Sequence, residues 1–332
     1  MSQADSTISS VTIGPAATRT TDGLFYAALA AAAFLLWWAA GNHAAKLPFW
    51  APWDFSFVEF LTGWLAAWWY WRGLSTTAPE ARPSRWRTLS YYAGLIAIYV
   101  VLETRFEYLA EHQFFFNRIQ HVAMHHLGPF LIALSWPGAT LTRGMPAWVR
   151  RLVQHPILTG TVYVLQFPAL AAILFSGSFF FWLIPAVHFR AMIDPHLFAL
   201  MNWTMVADGL LFWCLVLDPR PKPPARASFA ARAAISILVM FPQIIIGAMI
   251  TFDPHDLYAF YDLCGRIYPA LGARYDQTVG GLIIWIPPAM MSVLALVLVL
   301  NMLRMAEEKE LNDEAIDADD PRPVLDARSW TG

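Results

Sequence analysis

Three histidines and one methionine lie close together in the run His-Val-Ala-Met-His-His at residues 121–126. The surrounding stretch is apolar enough to cross a membrane, where an imidazole is costly unless it has a partner or a ligand. Because residues three and four apart share a face of an α-helix, Asn117, His121, Met124 and His125 are expected to form one stripe. A histidine pair at this spacing, with a thioether nearby, is typical of a first-row metal site and suits copper better than magnesium or calcium.

The same run also allows a structural interpretation, in which the imidazoles hydrogen-bond one another inside a helix bundle. We favour metal binding for His121 and His125, with Met124 as a soft third ligand. His126 lies off the stripe, so we interpret it first as a buried bundle histidine and second as an additional ligand.

The elements that carry these residues follow from the composition, which is 58% hydrophobic and 14% charged over 332 residues. Such a chain is more apolar than a soluble domain, and we predict an all-α polytopic transmembrane helix bundle with about eight spans, seven being the alternative count. A shorter apolar run at 177–187 is predicted to be interfacial or re-entrant. The predicted spans are residues 23–41, 55–71, 89–104, 113–136, 156–176, 196–217, 230–252 and 279–303.

The orientation of the bundle is predicted from basic residues, which stay on the cytoplasmic side of a membrane. Three alternate loops hold most of them, namely Arg72, Arg82, Arg85, Arg87, Arg143, Arg150, Arg151, Arg220, Lys222 and Arg226. Both termini are therefore expected in the cytoplasm. The predicted domains are a flexible segment 1–22, a helical membrane domain 23–303 and an acidic, disordered tail 304–332.

Other ligand-type residues lie near helix ends on the predicted outer side. His112, His196 and Asp276 are candidate metal ligands contributed by neighbouring elements, although Asp276 can equally cap the last span. Glu107 and Glu111, beside His112, are interpreted either as acidic surface residues or as a point where a cation enters.

The remaining polar features limit the possible functions. Asp208 lies deep in the sixth span, so it must be paired or protonated, and its partner cannot be named from the sequence. Cys214 and Cys264 form neither a metal motif nor an expected disulfide. The net charge of -2 favours no nucleic-acid partner.

Three blocks of residues together resemble the CtaG-type assembly factors of caa-type cytochrome c oxidases, over about residues 85–303. The first is Gln120-His121 followed by Pro129, Leu131, Leu134 and Pro137; the second is Gly209-Leu210-Leu211-Phe212-Trp213 with Asp218-Pro219; the third is Asp276-Gln277 with Gly280-Gly281 and Trp285-Ile286-Pro287. Their order and spacing agree with the family pattern.

The chain departs from this pattern at three positions. The family usually carries histidines where this chain has Asn117, Phe198 and Asn202. If those histidines bind copper in relatives, this chain cannot use the same set of ligands. His125, His126, His188 and His196 are the residues that could replace them.

The resemblance implies a non-enzymatic assembly factor that holds or delivers copper, expected as Cu(I), on the outer side of the bacterial cytoplasmic membrane. It also implies a haem-copper oxidase subunit as a partner, in addition to the lipid bilayer.

The residues leave three other functions open. A membrane di-iron enzyme would need a second histidine box, and the sequence has none. A haem protein could use His121 and His196 as axial ligands, and a transporter or channel could use Arg118, Glu103 and Asp208 along a path.

Overall fold

The protein is described by a computed structural model over residues 15–318, with side chains from residue 21 to residue 313. All regular secondary structure in that part of the chain is helical, which confirms the predicted class. The α-helices are α1 Pro15–His43, α2 Phe57–Ser75, α3 Arg85–Leu102, α4 Phe106–His112, α5 Phe114–His121, α6 Gly128–Ser135, α7 Gly138–Gly144, α8 Ala147–Val153, α9 Pro156–Leu165, α10 Pro168–Leu183, α11 Pro185–Ile193, α12 Pro195–Val216, α13 Phe229–Leu238, α14 Met240–Phe252, α15 Phe260–Cys264 and α16 Gly272–Ala318. A π-helix, Val122–Leu127, joins α5 to α6, and short 3₁₀ turns occupy Ala44–Lys46, Pro79–Ala81 and Pro269–Leu271.

Capping side chains and prolines determine where several of the helices begin. Ser56 accepts a hydrogen bond from the Glu59 amide at the start of α2, and Asp194 accepts bonds from the first amides of α12. Proline is the first residue of α9, α10, α11 and α12, where its missing N–H has no helical partner to lose.

Four segments among the described residues are long and apolar enough to cross a membrane. They are Thr21–Lys46, Pro195–Val216, Phe229–Phe252 and Pro269–Asp313, and they coincide with four predicted spans. Helices α2, α3 and α5–α6 lie at three further predicted spans without reaching the same combination of length and hydropathy. The protein is thus a helical membrane protein, while the count of eight spans and the cytoplasmic position of both termini stay predictions.

The predicted span at 156–176 is not one straight helix. The chain bends by 79° between α9 and α10. Phe167 has an extended backbone because it precedes Pro168, and a residue before proline is disfavoured in the helical conformation. The apolar run at 177–187 completes α10 and begins α11, and its interfacial or re-entrant position stays a prediction.

The last helix extends beyond its predicted end. Residues 304–318, which the sequence assigns to a disordered tail, continue α16 as far as Ala318. Arg304 and Glu308, one turn apart, form an ion pair at 3.0 Å that supports this extension. Residues 319–332 of the predicted tail and residues 1–14 of the predicted leader lie outside the described part of the chain.

The histidine-rich segment lies at the centre of the bundle. The π-helix and its flanking helices α5 and α6 contact α3, α12 and α16 between them. Large apolar side chains such as Leu35, Ile245 and Leu300 are exposed on the outside, as expected of surfaces that face lipid.

Candidate functional site: a buried histidine pair on a π-helix

The wide turn at residues 122–127 has a local cause in the sequence. Proline has no N–H, so Pro129 cannot bond to the carbonyl of His125 four residues earlier, and its ring would clash with that carbonyl in a regular α-helix. The π register avoids this clash and is the kind of bulge that is common at functional sites. The His125 carbonyl instead lies against Gly209 of α12, where a Cβ atom would collide with it.

His125 and His126 face each other inside this turn. Both are completely buried, and their Nδ1 atoms are 3.1 Å apart. The ring of His125 stacks on Phe175 of α10 with the centroids 4.2 Å apart. We call these two residues the histidine pair.

The outer nitrogen of each imidazole meets a polar side chain from another helix. Gln243 of α14 lies with its Nε2 3.2 Å from Nε2 of His126. Asp208 of α12 lies with Oδ1 3.0 Å from Nε2 of His125, at hydrogen-bonding distance but outside the favourable angular range. The pair is therefore held between two side chains that α12 and α14 contribute.

The contacts are compatible with the following proton positions. If the Gln243 amide donates to Nε2 of His126, then His126 carries its proton on Nδ1 and donates it to Nδ1 of His125. The proton of His125 is then on Nε2, facing the Asp208 carboxylate.

The predicted stripe is divided between different surroundings. His121 is buried, neither ring nitrogen has a hydrogen-bond partner, and its electrostatic neighbours are Arg118, His188 and His125. Met124 packs in an apolar cluster with side chains such as Leu102. The wide turn therefore pairs His125 with its neighbour in sequence rather than with His121.

The other predicted ligands lie away from the histidine pair. His112 directs Nδ1 at the carbonyl of Tyr108 in its own helix, at 2.8 Å, and His196 is exposed at the start of α12. Asp276 accepts hydrogen bonds from the amides of Phe114 and Phe115, at 3.0 and 2.8 Å, and pairs with Arg266. Asp276 thus caps α5 from another helix, where the sequence predicts either a metal ligand or a cap of its own helix.

A second buried polar group lies beside His121. Nε2 of His188 lies 3.0 Å from the Tyr261 hydroxyl, while its Nδ1 has no partner. Arg118 is fully buried, contacts Asn117 and lies over the Phe114 ring at 4.8 Å. The sequence indicates His188 as a possible ligand because of its residue type. It does not indicate Tyr261, which belongs to no motif.

No three described His, Cys, Asp or Glu side chains converge in a way that could hold a metal ion by themselves. Any ion at the histidine pair would accordingly have two protein ligands and free positions for others.

Comparison with known sequences identifies the family. The profile of the cytochrome c oxidase caa3 assembly factors (Caa3_CtaG) matches residues 62–305, well over half of the chain. The chain belongs to this caa3 assembly factor family. No curated protein and no solved structure matches the chain. The family assignment confirms the resemblance seen in the three sequence blocks.

In this caa3 assembly factor, the three departures from the family pattern lie near one another. Phe198 and Asn202 line the same cavity as Met192, and Nδ2 of Asn117 donates a hydrogen bond to Met192 Sδ at 3.8 Å. This region therefore offers amides, a phenyl ring and a thioether that is already engaged, whereas the imidazoles lie in the π-helix.

Proposed function

We propose that this caa3 assembly factor holds Cu(I) between Nδ1 of His125 and Nδ1 of His126 and passes it to a haem-copper oxidase subunit in the bacterial cytoplasmic membrane. Family membership gives the role in oxidase assembly. The observation that supports the copper step is the facing pair of Nδ1 atoms, each on a ring whose other nitrogen meets a polar side chain. The protein acts as a carrier, without a catalytic step.

The spacing of the pair suits two ligands of one ion. Nitrogen ligands about 2.0 Å from a tetrahedral ion lie roughly 3.3 Å apart. The two Nδ1 atoms are 3.1 Å apart and need only a small adjustment. Two open positions remain for donors from the receiving protein, which is what the transfer of a cargo ion requires.

The partners of the outer nitrogens match those of metal-binding histidines. Such histidines usually direct the second ring nitrogen at a carboxylate or carbonyl oxygen, which fixes the ring and its tautomer. Asp208 already occupies that position beside His125. Oε1 of Gln243 has no partner, so rotation of the amide would let it accept a hydrogen bond from Nε2–H of His126 once the proton of His126 is on Nε2 and Nδ1 binds the ion.

The test is a Cu(I) titration of detergent-purified protein against a chromophoric chelator. We expect one tightly held Cu(I) per chain, lost in His126→Ala and retained in His121→Ala. His43→Ala, at an exposed end of α1, is the matched control and should bind as the wild type does.

Loss of copper in His121→Ala but not in His126→Ala would contradict a site at the histidine pair. It would indicate instead that copper binds at the stripe predicted from the sequence. Absence of copper in the wild type would refute the carrier role, and bound haem or iron would favour the other metalloprotein functions. The oxidase step is tested separately, by measuring the copper content of the oxidase in cells that produce only the His126→Ala protein.

A further inference from the structure

A second polar site lies at another end of the bundle, between the loop before α2, helix α4 and the start of α12. Four carboxylates, those of Asp54, Glu59, Glu107 and Glu111, line a cavity of about 160 Å³. We call these four residues and the cavity the carboxylate pocket. No basic side chain is among the residues that line it.

The negative charge of the pocket is not balanced by its surroundings. Burial, followed by the charge of Asp54, raises the pKa of Glu111 to about 7. Burial also raises the pKa of Glu107 well above its ordinary value, with the charges of Glu111 and Glu59 adding to the effect. Arg105 immediately precedes α4, but its guanidinium donates to the Ala44 carbonyl at 2.6 Å instead.

Asn202 provides an independent indication that something binds here. Its side chain is 1% exposed, lines the carboxylate pocket, and its Oδ1 has no hydrogen-bond partner. Asn202 and Glu59 also line an adjoining groove with Glu103, whose two carboxylate oxygens are buried without partners. A buried oxygen without a hydrogen-bond donor is energetically unfavourable. A bound cation with its water molecules would supply the interaction that the protein does not.

We propose that the carboxylate pocket binds one hydrated divalent cation of the Mg²⁺ or Ca²⁺ class. Carboxylate and amide oxygens are the ligands that these hard cations prefer. Because no three described acidic or imidazole side chains converge on one point, the ion keeps several waters, as Mg²⁺ commonly does. A water occupies roughly 30 Å³ of liquid, so the cavity has room for such a shell.

The donor set separates this site from the histidine pair. The pocket contains one thioether, Met192, whose sulfur already accepts a hydrogen bond from Asn117, and it contains no imidazole. The inference therefore does not rest on the proposed copper function and can be tested independently of it.

The experiment uses Mn²⁺ as the probe, because it resembles Mg²⁺ in its ligands and its free form is counted by electron paramagnetic resonance. Full-length protein in detergent is titrated with Mn²⁺ at pH 7.5, and Mg²⁺ or Ca²⁺ is then added as a competitor. We expect one saturable Mn²⁺ site per chain that either competitor displaces.

The variant Glu107→Gln/Glu111→Gln keeps the size of both side chains and removes two charges. We expect its affinity for Mn²⁺ to fall at least about tenfold, which corresponds to roughly 1.4 kcal/mol. The matched control is Glu80→Gln/Glu307→Gln, which removes two exposed carboxylates elsewhere and should leave the affinity unchanged.

Thermal unfolding shows that the variant is folded and gives a second measurement. Mn²⁺ should raise the melting temperature of the wild type and of the control, but not that of Glu107→Gln/Glu111→Gln, because an ion that binds only the native state stabilises it. The proposal is overturned if the wild type has no saturable site, if the pocket variant binds as tightly as the wild type, or if the control loses affinity equally.

Discussion

The histidine pair and the carboxylate pocket solve the problem of buried polar groups in different ways. In the histidine pair, a side chain from another helix lies within 3.2 Å of each outer ring nitrogen, and Gln243 is within hydrogen-bonding distance of His126. In the carboxylate pocket, like charges face one another and Oδ1 of Asn202 has no partner. The first site is organised by the protein, while the second depends on an outside cation for its balance.

This difference teaches which ion each site can select. Imidazoles fixed in one tautomer suit a transition metal, whereas loosely spaced oxygens suit a hard ion that keeps its waters. Two ions of different chemistry can thus be kept apart within one bundle.

The largest expected effect is a reciprocal loss of binding. His126→Ala should abolish Cu(I) binding and leave Mn²⁺ binding intact, because Asn202 and the four carboxylates are unchanged. Glu107→Gln/Glu111→Gln should weaken Mn²⁺ binding and leave Cu(I) binding intact. Titrating both ions into both variants checks the prediction, and a variant that loses both ions while still folded would show that the sites are coupled.

The next effect concerns the contact between α12 and the π-helix. In Gly209→Ala, the added methyl group would collide with the His125 carbonyl and push Asp208 away from the imidazole. We expect a loss of about 1–3 kcal/mol in the free energy of unfolding, together with weaker Cu(I) binding. Denaturant titration and Cu(I) competition measure the two effects.

Gly177→Ala in α10 is the matched control, because a Cβ atom there meets nothing within 4 Å. Equal stability of the two alanine variants would contradict the tight contact at Gly209.

A smaller effect is expected from the carboxylate beside His125. Asp208→Asn keeps the shape of the side chain but replaces the carboxyl group that lies 3.0 Å from Nε2 of His125, and partners of this kind typically contribute 10–100-fold to metal affinity. We expect a decrease in Cu(I) affinity of about this size, measured by chelator competition, with Mn²⁺ affinity unchanged. Unchanged Cu(I) affinity would mean that Asp208 does not position the ligand.

The smallest effect is a dependence of stability on pH. The pKa of Glu111 is raised from 4.5 to about 7 in the folded protein, so the native state binds more protons than the unfolded chain between these values. In metal-free buffer, the melting temperature should therefore fall by a few degrees as the pH rises from 4.5 to 7. Glu107, whose pKa is also raised by burial, adds to the same trend.

Glu111→Gln should flatten this dependence, and added Mg²⁺ should reduce it in the wild type. A melting temperature that rises across this pH range in the wild type would contradict the assignment of repulsive, buried carboxylates.

The sequence predicted the helical class and the family correctly, because these depend on composition and on local runs of residues. It did not predict the contact between His125 and His126, and a metal site at His121 and His125 stays a prediction. The predicted stripe relies on the spacing of an α-helix. The π-helix that precedes Pro129 is wider and brings His125 into contact with His126. The rule that proline breaks the bond four residues earlier was the signal that could have revealed this.

Long-range partners were beyond the sequence. Asp208 and Gln243 lie far from residue 125 along the chain, and nothing local indicates that their helices meet at the π-helix. Asp276 shows the same limit, since its carboxylate caps a helix that begins 162 residues away from it. The side chains that support the histidine pair became apparent only from the packing of α12 and α14.

The π-helix also affects how relatives of this protein should be aligned. A π-helical turn contains one residue more than an α-helical turn. Relatives with and without it should therefore differ in the length of this stretch. A relative with one residue fewer between positions 121 and 129 would continue as an α-helix and present another side chain to Asp208. Aligned sequences in this stretch should therefore be compared with a gap permitted, because an ungapped alignment would match histidines that do not share a location.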